Sequence, residues 1–344
     1  MIASLKTDTR PMLEVRDLCK HFPVFSKGLM RKQVGVVKAA DQINFDLMPG
    51  ETLGLVGESG CGKTTTGRTI LRALSPTRGS VLFRNPKNKS NEEVIDLAQL
   101  DEKELKPLRT QMQMIFQDPF SSLNPRMTVR DIVAEPLIIH RMASGSELDD
   151  RVSSILKKVG LKPEHRTRYP HAFSGGQRQR IGIARALIMN PALIVCDEAV
   201  SALDVSVQAQ VINLLQDLQQ EFGLTYIFIA HDISVVKHIC DRIAVMYAGR
   251  IVELASSDEL FDDPKHPYTK ALLSAVPIAD PDIPMSMELS GEVADPGRLP
   301  TGCAFHPRCP SCFEPCDVET PSLLKLKSKN RHVACHLYKD DVES

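Results

Sequence analysis

ETLGLVGESGCGKTTTGRTILRAL, residues 51–74, is the stretch that decides the fold. An apolar run, Leu53 to Val56, leads straight into Gly57-Glu58-Ser59-Gly60-Cys61-Gly62-Lys63-Thr64, and a helical pattern follows. A glycine, four residues, a second glycine, a lysine and a hydroxyl residue, set between a strand and a helix, form the context that a phosphate-binding loop requires. Glycines let the backbone curl so that its N–H groups face an anion, and the helix beginning near Lys63 adds the positive end of its dipole. Lys63 supplies a mobile charge, Thr64 a hydroxyl for Mg²⁺, and Thr65 completes the set expected around the phosphates. A glycine-rich turn carrying a surface lysine is the bland reading, and the flanking strand and helix argue against it.

Working outward, MLEVRDLCKHFPV reads as an alternating strand, a basic glycine-containing loop (SKGLMRKQVG) follows, and a second strand pattern lies around Ile43 to Leu47. Short apolar strands are expected at Met112 to Phe116, Leu193 to Asp197, Thr225 to Ala230 and Ile243 to Tyr247, with helical patterns between several of them. Such alternation indicates an α/β fold with a parallel sheet flanked by helices. Between Asp118 and about Pro191 the pattern is mostly helical, which reads as a helical insertion. From about Asp262 the texture turns proline-rich and irregular, with HPYTKALLSAVP as one clear helical segment, so the expected division is an α/β domain over 12–262 and a small irregular Cys-rich C-terminal module over 263–344.

The run Leu193-Ile194-Val195-Cys196 ends in Asp197 and Glu198. Successive residues of a strand point in opposite directions, so the two acids can take different tasks at the sheet's carboxyl end. Asp197 is expected in the magnesium shell, and Glu198 as the general base that polarises the attacking water. Alone, an acidic pair after an apolar run is more often a strand cap; after a phosphate loop the balance reverses.

Bulk properties set limits. With 42% hydrophobic residues, 344 residues can bury a substantial core. Forty-two basic and 43 acidic residues nearly cancel, which gives no whole-chain field for nucleic acid. No apolar stretch is long enough to span a membrane, and MIASLKTDTRP lacks the apolar core of a signal peptide, so a cytosolic chain is expected, with any membrane role exercised through other subunits. Of nine cysteines, Cys19, Cys61, Cys196 and Cys240 are scattered, while Cys303, Cys309, Cys312, Cys316 and Cys335 crowd the tail. In a reducing compartment that cluster suggests metal before disulfide.

Many nucleotidases share a phosphate loop, so Phe173-Ser174-Gly175-Gly176-Gln177, 20 residues before Asp197, is decisive. It resembles the signature motif of the ABC family, usually LSGGQ, with Phe in first place. It precedes the helix QRQRIGIARAL and so makes a helix N-terminus suited to phosphate; in the family that phosphate is the γ-phosphate of ATP held by the partner subunit. The resemblance extends in order through the chain. Gln117 matches the Q-loop glutamine that reaches metal and water, Ser201-Ala202-Leu203-Asp204 matches the D-loop, and His231 matches the switch histidine. Phe22 is the candidate for adenine stacking, against the plain alternative that it is core. The motifs cover roughly Leu13 to Leu254. DEAVSALD has Ala199 where relatives carry proline, a loss of fixed φ that removes no chemical group.

HPYTKALLSAVP, QDPFSSLNPRMTV and RYPHAFSGGQRQRIGIARAL are similar to the dipeptide, oligopeptide and nickel importers, and glutathione and microcin-type importers share them. The resemblance implies an α/β nucleotide-binding domain with a helical subdomain, ATP and Mg²⁺ as ligands, a second and often nonidentical ATPase subunit, two permease subunits docked on the helical insertion, an extracytoplasmic solute-binding protein, and a place on the cytoplasmic face of the inner membrane. The tail GCAFHPRCPSCFEPC…HVACH resembles the same subunits' cysteine motif, in which Cys303, Cys309, Cys316 and Cys335 hold a [4Fe-4S] cluster. Tetrahedral zinc, with Cys312 as a rival ligand, and plain reduced thiols remain alternatives. Soluble ABC ATPases acting on DNA or ribosomes carry a long insertion or a second ATPase unit, and this sequence shows neither. A regulatory, catalytically weak subunit is the other alternative, motivated by Ala199.

Overall fold

Short apolar strands alternating with amphipathic segments bury their strands by laying helices against them. The computed structural model describes residues 10–27, 32–84, 94–274, 294–327 and 330–342. In chain order its elements begin with β1 (Leu13–Phe25), β2 (Gln33–Leu47), β3 (Thr52–Val56), α1 (Lys63–Ile70), β4 (Arg78–Phe83), β5 (Ile95–Asp96), α2 (Glu102–Leu108) and β6 (Met112–Ile115). Helices α3 (Val129–Ile139), α4 (Gly145–Lys158) and α5 (Gly175–Leu187) follow, then β7 (Leu193–Asp197), α6 (Val205–Phe222), β8 (Thr225–Ile229) and α7 (Ile233–Ile239). The remaining elements are β9 (Arg242–Tyr247), β10 (Arg250–Ser256), α8 (Ser257–Asp262), α9 (Pro267–Ser274), β11 (Leu324–Lys325) and β12 (His332–Val333). Among the described residues no helix is long and apolar enough to cross a membrane.

The chain divides into two units. One takes Met1–Glu14, Asp46–Thr52 and Leu82–Ile229. Here β6, β7 and β8 run parallel, with Ile115 opposite Cys196 and Asp197 opposite Ile229. Every residue of β7 and β8 is buried, as parallel strands covered on both faces require. The expected helical insertion is α3, α4 and α5. Thr128 starts α3 by accepting from the Asp131 N–H. In α4, Leu148, Val152, Ile155 and Leu156 are buried, a spacing that lines up one face of the helix.

The other unit takes Val15–Phe45, Leu53–Val81 and Ala230–Ser344. Strand β3 pairs parallel with β9, which turns back antiparallel into β10. β12 of the tail adds to β10, with Val333 opposite Glu253, and β11 adds to β12. Glu253 is fully buried and accepts from the backbone N–H groups of Lys265 and His266, both at 2.9 Å. Burial raises its pKa above the usual carboxylate range. Arg331, also buried, donates from Nη1 and Nη2 to the carbonyls of Asp263 and Glu259, so the tail is fastened by buried hydrogen bonds as well as by strand pairing. The expected helix at 266–277 is α9, and residues 275–277 lie outside the described residues, as do 28–31 of the basic loop.

Candidate nucleotide site

The expected phosphate loop, residues 57–64, leads from β3 into α1, in the order strand, loop and helix. Gly62 sits at φ 105°, and a Cβ there would stand 1.8 Å from the Ala39 carbonyl oxygen, so no other residue fits the turn into α1. Lys63 is almost wholly buried, and its ammonium donates to the carbonyls of Gly57 at 2.7 Å and Glu58 at 3.0 Å. The lysine thus folds back along its own loop. Cys61 is buried beneath it, and burial raises the thiol's pKa, which keeps it an uncharged packing group. Thr64 and Thr65 occupy the first turn of α1, and Thr65 gives its carbonyl to the Thr69 hydroxyl at 2.7 Å.

In the other unit, β7 ends at Asp197, which is buried, and Glu198 follows at φ 48°. This corrects the reason expected for the two acids' separate directions: Glu198 is no longer strand, and a left-handed turn rather than strand alternation aims it. The turn is held by Glu198 N–H donating to Ile229 O at 3.0 Å and by the Ser201 N–H and hydroxyl, which donate to Glu198 O at 3.1 and 3.0 Å. Ala199, at the position where the resembled family usually carries proline, is buried inside this closed turn. Gln117, just past β6, donates from Nε2 to Glu198 Oε2 at 2.5 Å.

Ser174 caps α5. Its hydroxyl accepts from the Gln177 N–H at 3.3 Å, and the Gln177 side chain accepts from the Ser174 N–H at 3.1 Å, a reciprocal capping box. Gly176 is forced by packing, because a Cβ there would lie 2.4 Å from Cγ1 of Val207 on α6. Asp204 caps α6, accepting from the Val207 N–H at 2.9 Å, so the segments expected to be signature and D-loop approach through the first turns of α5 and α6. These bonds hold the Asp204 carboxylate below its ordinary pKa. Phe173, the residue in the usual leucine place, is buried edge-on against His165.

His231 lies two residues beyond β8 and is exposed, while its neighbour Asp232 caps α7. Phe22 is 36% exposed with the Lys20 ammonium 4.9 Å from its ring centre, which is a surface aromatic rather than core. In the tail, Cys303, Cys309, Cys316 and Cys335 line one small cavity together with His266, whereas Cys312 is exposed and lies outside that lining. Burial raises the thiol pKa of Cys303 to about 11, with Cys335, Cys316 and Cys309 adding to the shift. Elsewhere among the described residues, Cys19, His21 and Asp41 bring their possible ligand atoms within 4.8 Å of one another. Arg250 donates twice to Asp41, and Arg78 donates to Cys19, so these groups already have cationic partners and form a structural network. Sequence reading missed Arg308 and Tyr268, which bind Glu58 of the phosphate loop. The available signal was Glu58 itself, an acidic side chain among the loop's glycines for which a cationic partner could be sought.

Residues 40–201 match the family profile described as ABC transporter, a range that takes in the loop between β3 and α1, the acid pair after β7 and the Ser174 cap of α5. The chain belongs to the ABC transporter family, as an ATPase of its oligopeptide/dipeptide transporter branch: residues 252–316 match the profile described as Oligopeptide/dipeptide transporter, C-terminal region. It is 52% identical over 331 residues to the oligopeptide transport ATP-binding protein AppF of Bacillus subtilis (strain 168), an alignment covering 95% of this chain and 97% of that one. The probable peptide ABC transporter ATP-binding protein y4tS of Sinorhizobium fredii is 50% identical, with 95% and 90% covered. Among solved structures, the dimeric ATP-binding cassette MJ0796, in a post-hydrolysis state bound to ADP and Pi, superposes with TM-score 0.60 at 29% identity, covering 72% of this chain and 99% of that one. The cbiO1 subunit from Clostridium perfringens gives TM-score 0.60 at 28% identity, covering 74% and 91%.

Proposed function

We propose that this ATPase drives uptake of dipeptides or oligopeptides across a bacterial inner membrane, working from the cytoplasmic face as one of two facing subunits. The observation that carries the cargo reading is the match of the tail, residues 252–316, to the oligopeptide/dipeptide transporter region, joined by near-full-length relatives named for oligopeptide transport. A nickel, glutathione or other peptide-like cargo uses the same subunit design.

Each residue's task follows from its chemistry. The amides of Gly57, Ser59, Gly60, Cys61 and Gly62 and the Lys63 ammonium take the β- and γ-phosphates, Phe22 stacks on adenine, and Thr64 and Asp197 supply the magnesium shell with Gln117 beside them. Glu198 polarises water, and His231 orients it against the γ-phosphate. Ser174, Gly175, Gly176 and Gln177 close on the ATP of the opposite subunit, with Asp204 at the interface. Neither half works alone, so a partner ATPase, a homologous second subunit, is required. Phe120, Ile138, Ile139 and Met142 are exposed apolar groups of the helical insertion, which supports docking of two permease subunits there. An extracytoplasmic binding protein delivers the solute, and nucleic acid has no part.

The cavity lined by Cys303, Cys309, Cys316 and Cys335 fits a metal group in its donor chemistry, four sulfurs around one space. Among the described residues no three of these sulfurs lie within 4.8 Å of one another. The group proposed is a [4Fe-4S] cluster, with tetrahedral zinc as the alternative, in a structural role, since an irregular segment with little core gains from a staple. Such a cluster would supply a thiolate-bound cross-link, and it requires no step in ATP hydrolysis.

Reconstitution tests the whole. The chain, its partner ATPase, two permeases and the binding protein in liposomes should hydrolyse ATP faster when di- or oligopeptide is present and accumulate that peptide. Hydrolysis that ignores every peptide while responding to nickel would replace the cargo.

A further inference from the structure

A carboxylate inside a phosphate-binding loop works against the ligand, because like charges disfavour each other at short range. Glu58 is such a carboxylate, next to Gly57, and its own carbonyl holds the Lys63 ammonium at 3.0 Å. Its side chain is engaged by the tail. Arg308 donates from Nη1 to Oε2 at 2.9 Å and from Nη2 to Oε1 at 3.1 Å, a two-point pair of fork and carboxylate. The side chains of Arg308 and Glu58 are 5% and 19% exposed, so water and salt screen the pair only weakly. The pairing holds Arg308 above even its ordinary high pKa, and it stays charged.

The loop's backbone is held from the same side. The hydroxyl of Tyr268, on α9, accepts the Glu58 N–H at 2.9 Å. Tyr268 packs against Tyr247 and Phe305 with ring centres 4.7 and 5.3 Å away, and the Arg308 guanidinium lies 5.8 Å from the Phe305 ring centre. Arg308 closes the short turn His306–Arg308 between Cys303 and Cys309, and that turn is bonded at both ends: His306 N–H donates to Cys303 O and Cys309 N–H to His306 O. A buried aromatic cluster and a cysteine-flanked turn thus present one arginine and one hydroxyl to one residue of the phosphate loop.

We infer that the C-terminal extension is a working part of the nucleotide site: Arg308 is a positioning residue that cancels the Glu58 charge, Tyr268 fixes the Glu58 amide, and together they set the affinity for ATP. Neither needs to touch the nucleotide. The inference rests on residues 57–64 being the phosphate loop.

The test is a charge cycle on the full chain, titrated with a fluorescent ATP analogue and Mg²⁺ and checked by thermal melting. Arg308→Gln should raise Kd about tenfold, a factor that corresponds to one lost charge-assisted contact. KM for ATP should rise with it while kcat at saturation changes far less. Arg308→Lys should recover part of the loss. The double variant Glu58→Gln with Arg308→Gln should recover most of it, because no charge remains to be cancelled. Wild-type affinity in Arg308→Gln, or a double variant as weak as the single one, would overturn the inference. Should Arg308→Gln unfold the tail, Glu58→Gln alone decides: it should bind at least as tightly as wild type, and a tenfold loss sinks the idea. Lys63→Ala is run beside them, since undiminished binding there would remove the phosphate-loop assignment itself rather than the role of Arg308.

Discussion

Gln117 Nε2 stands 2.5 Å from Glu198 Oε2, bridging 81 residues of sequence. One carboxylate oxygen of the proposed general base is therefore engaged by an amide donor that follows β6 directly. Glu198→Gln keeps the shape and removes the charge, so it should leave the Kd for Mg²⁺-ATP within about twofold and cut turnover by about 100-fold or more, the range for losing a general base. Gln117→Ala should cost turnover about tenfold, since it frees Glu198 rather than removing it. Nucleotide titration and phosphate release measured on the same preparations check both. An equal loss of binding in Glu198→Gln would move that residue from catalysis to ligand binding.

Lys63 makes the opposite case. Its ammonium lies buried against the Gly57 and Glu58 carbonyls at 2.7 and 3.0 Å, so the charge is already positioned where phosphates are expected. Lys63→Ala should weaken ATP binding by at least about tenfold through loss of a charge-assisted contact, and turnover should fall in step. Calorimetric titration reads the first, and a phosphate-release assay the second. Binding that survives while turnover alone falls would contradict the assignment.

The contrast between these two residues also marks what the sequence could tell. Lys63 is legible because its loop chemistry is local: glycines, lysine and threonine within eight positions need only the turn they build themselves. The strands from Met112, Leu193, Thr225 and Ile243 were readable for the same reason, being short apolar runs between helical patterns. Glu198 was half legible. Its identity could be read, but its φ of 48° depends on a turn closed by Ile229 and Ser201, and no periodicity encodes that. β10 gave no alternation, because five of its seven residues are buried. Arg308 was illegible, since its partner lies 250 residues earlier in the chain and only the folded unit brings the two together.

Asp41 carries a pH prediction. Burial pushes its pKa up, but hydrogen bonds and charge from Arg250, with a further bond to His21, more than offset this and leave it below the ordinary 3.8. A carboxylate whose folded pKa is depressed binds its proton more readily when unfolded, so its stabilisation is complete above the unfolded value and is lost as pH falls through the folded one. Asp41 should therefore support the fold at neutral pH and fail only below about pH 4. Asp41→Asn should lower stability at pH 7 by about 1–3 kcal/mol, because Arg250 loses a charged partner, and the gap to wild type should close in acid. Urea melts from pH 7 to pH 3 measure this. A gap that stays constant across the series would show that Asp41 acts through shape rather than charge.

Gly176 gives the sharpest test of the signature segment. Alanine ordinarily strengthens a helix over glycine by about 1 kcal/mol, yet a Cβ at this position would meet Cγ1 of Val207 at 2.4 Å. A β-branched valine has little rotamer freedom in a helix, so the two helix starts have to separate, which costs about 1–3 kcal/mol. Gly176→Ala should therefore lower the melting temperature by a few degrees and, by displacing the Ser174 cap from Asp204, reduce turnover in the assembled ATPase more than nucleotide affinity of the isolated chain. Adding Val207→Ala removes the opposing methyl and should restore both. If Gly176→Ala melts and hydrolyses like wild type, or if the double variant recovers nothing, the contact between α5 and α6 does not set the geometry of the signature.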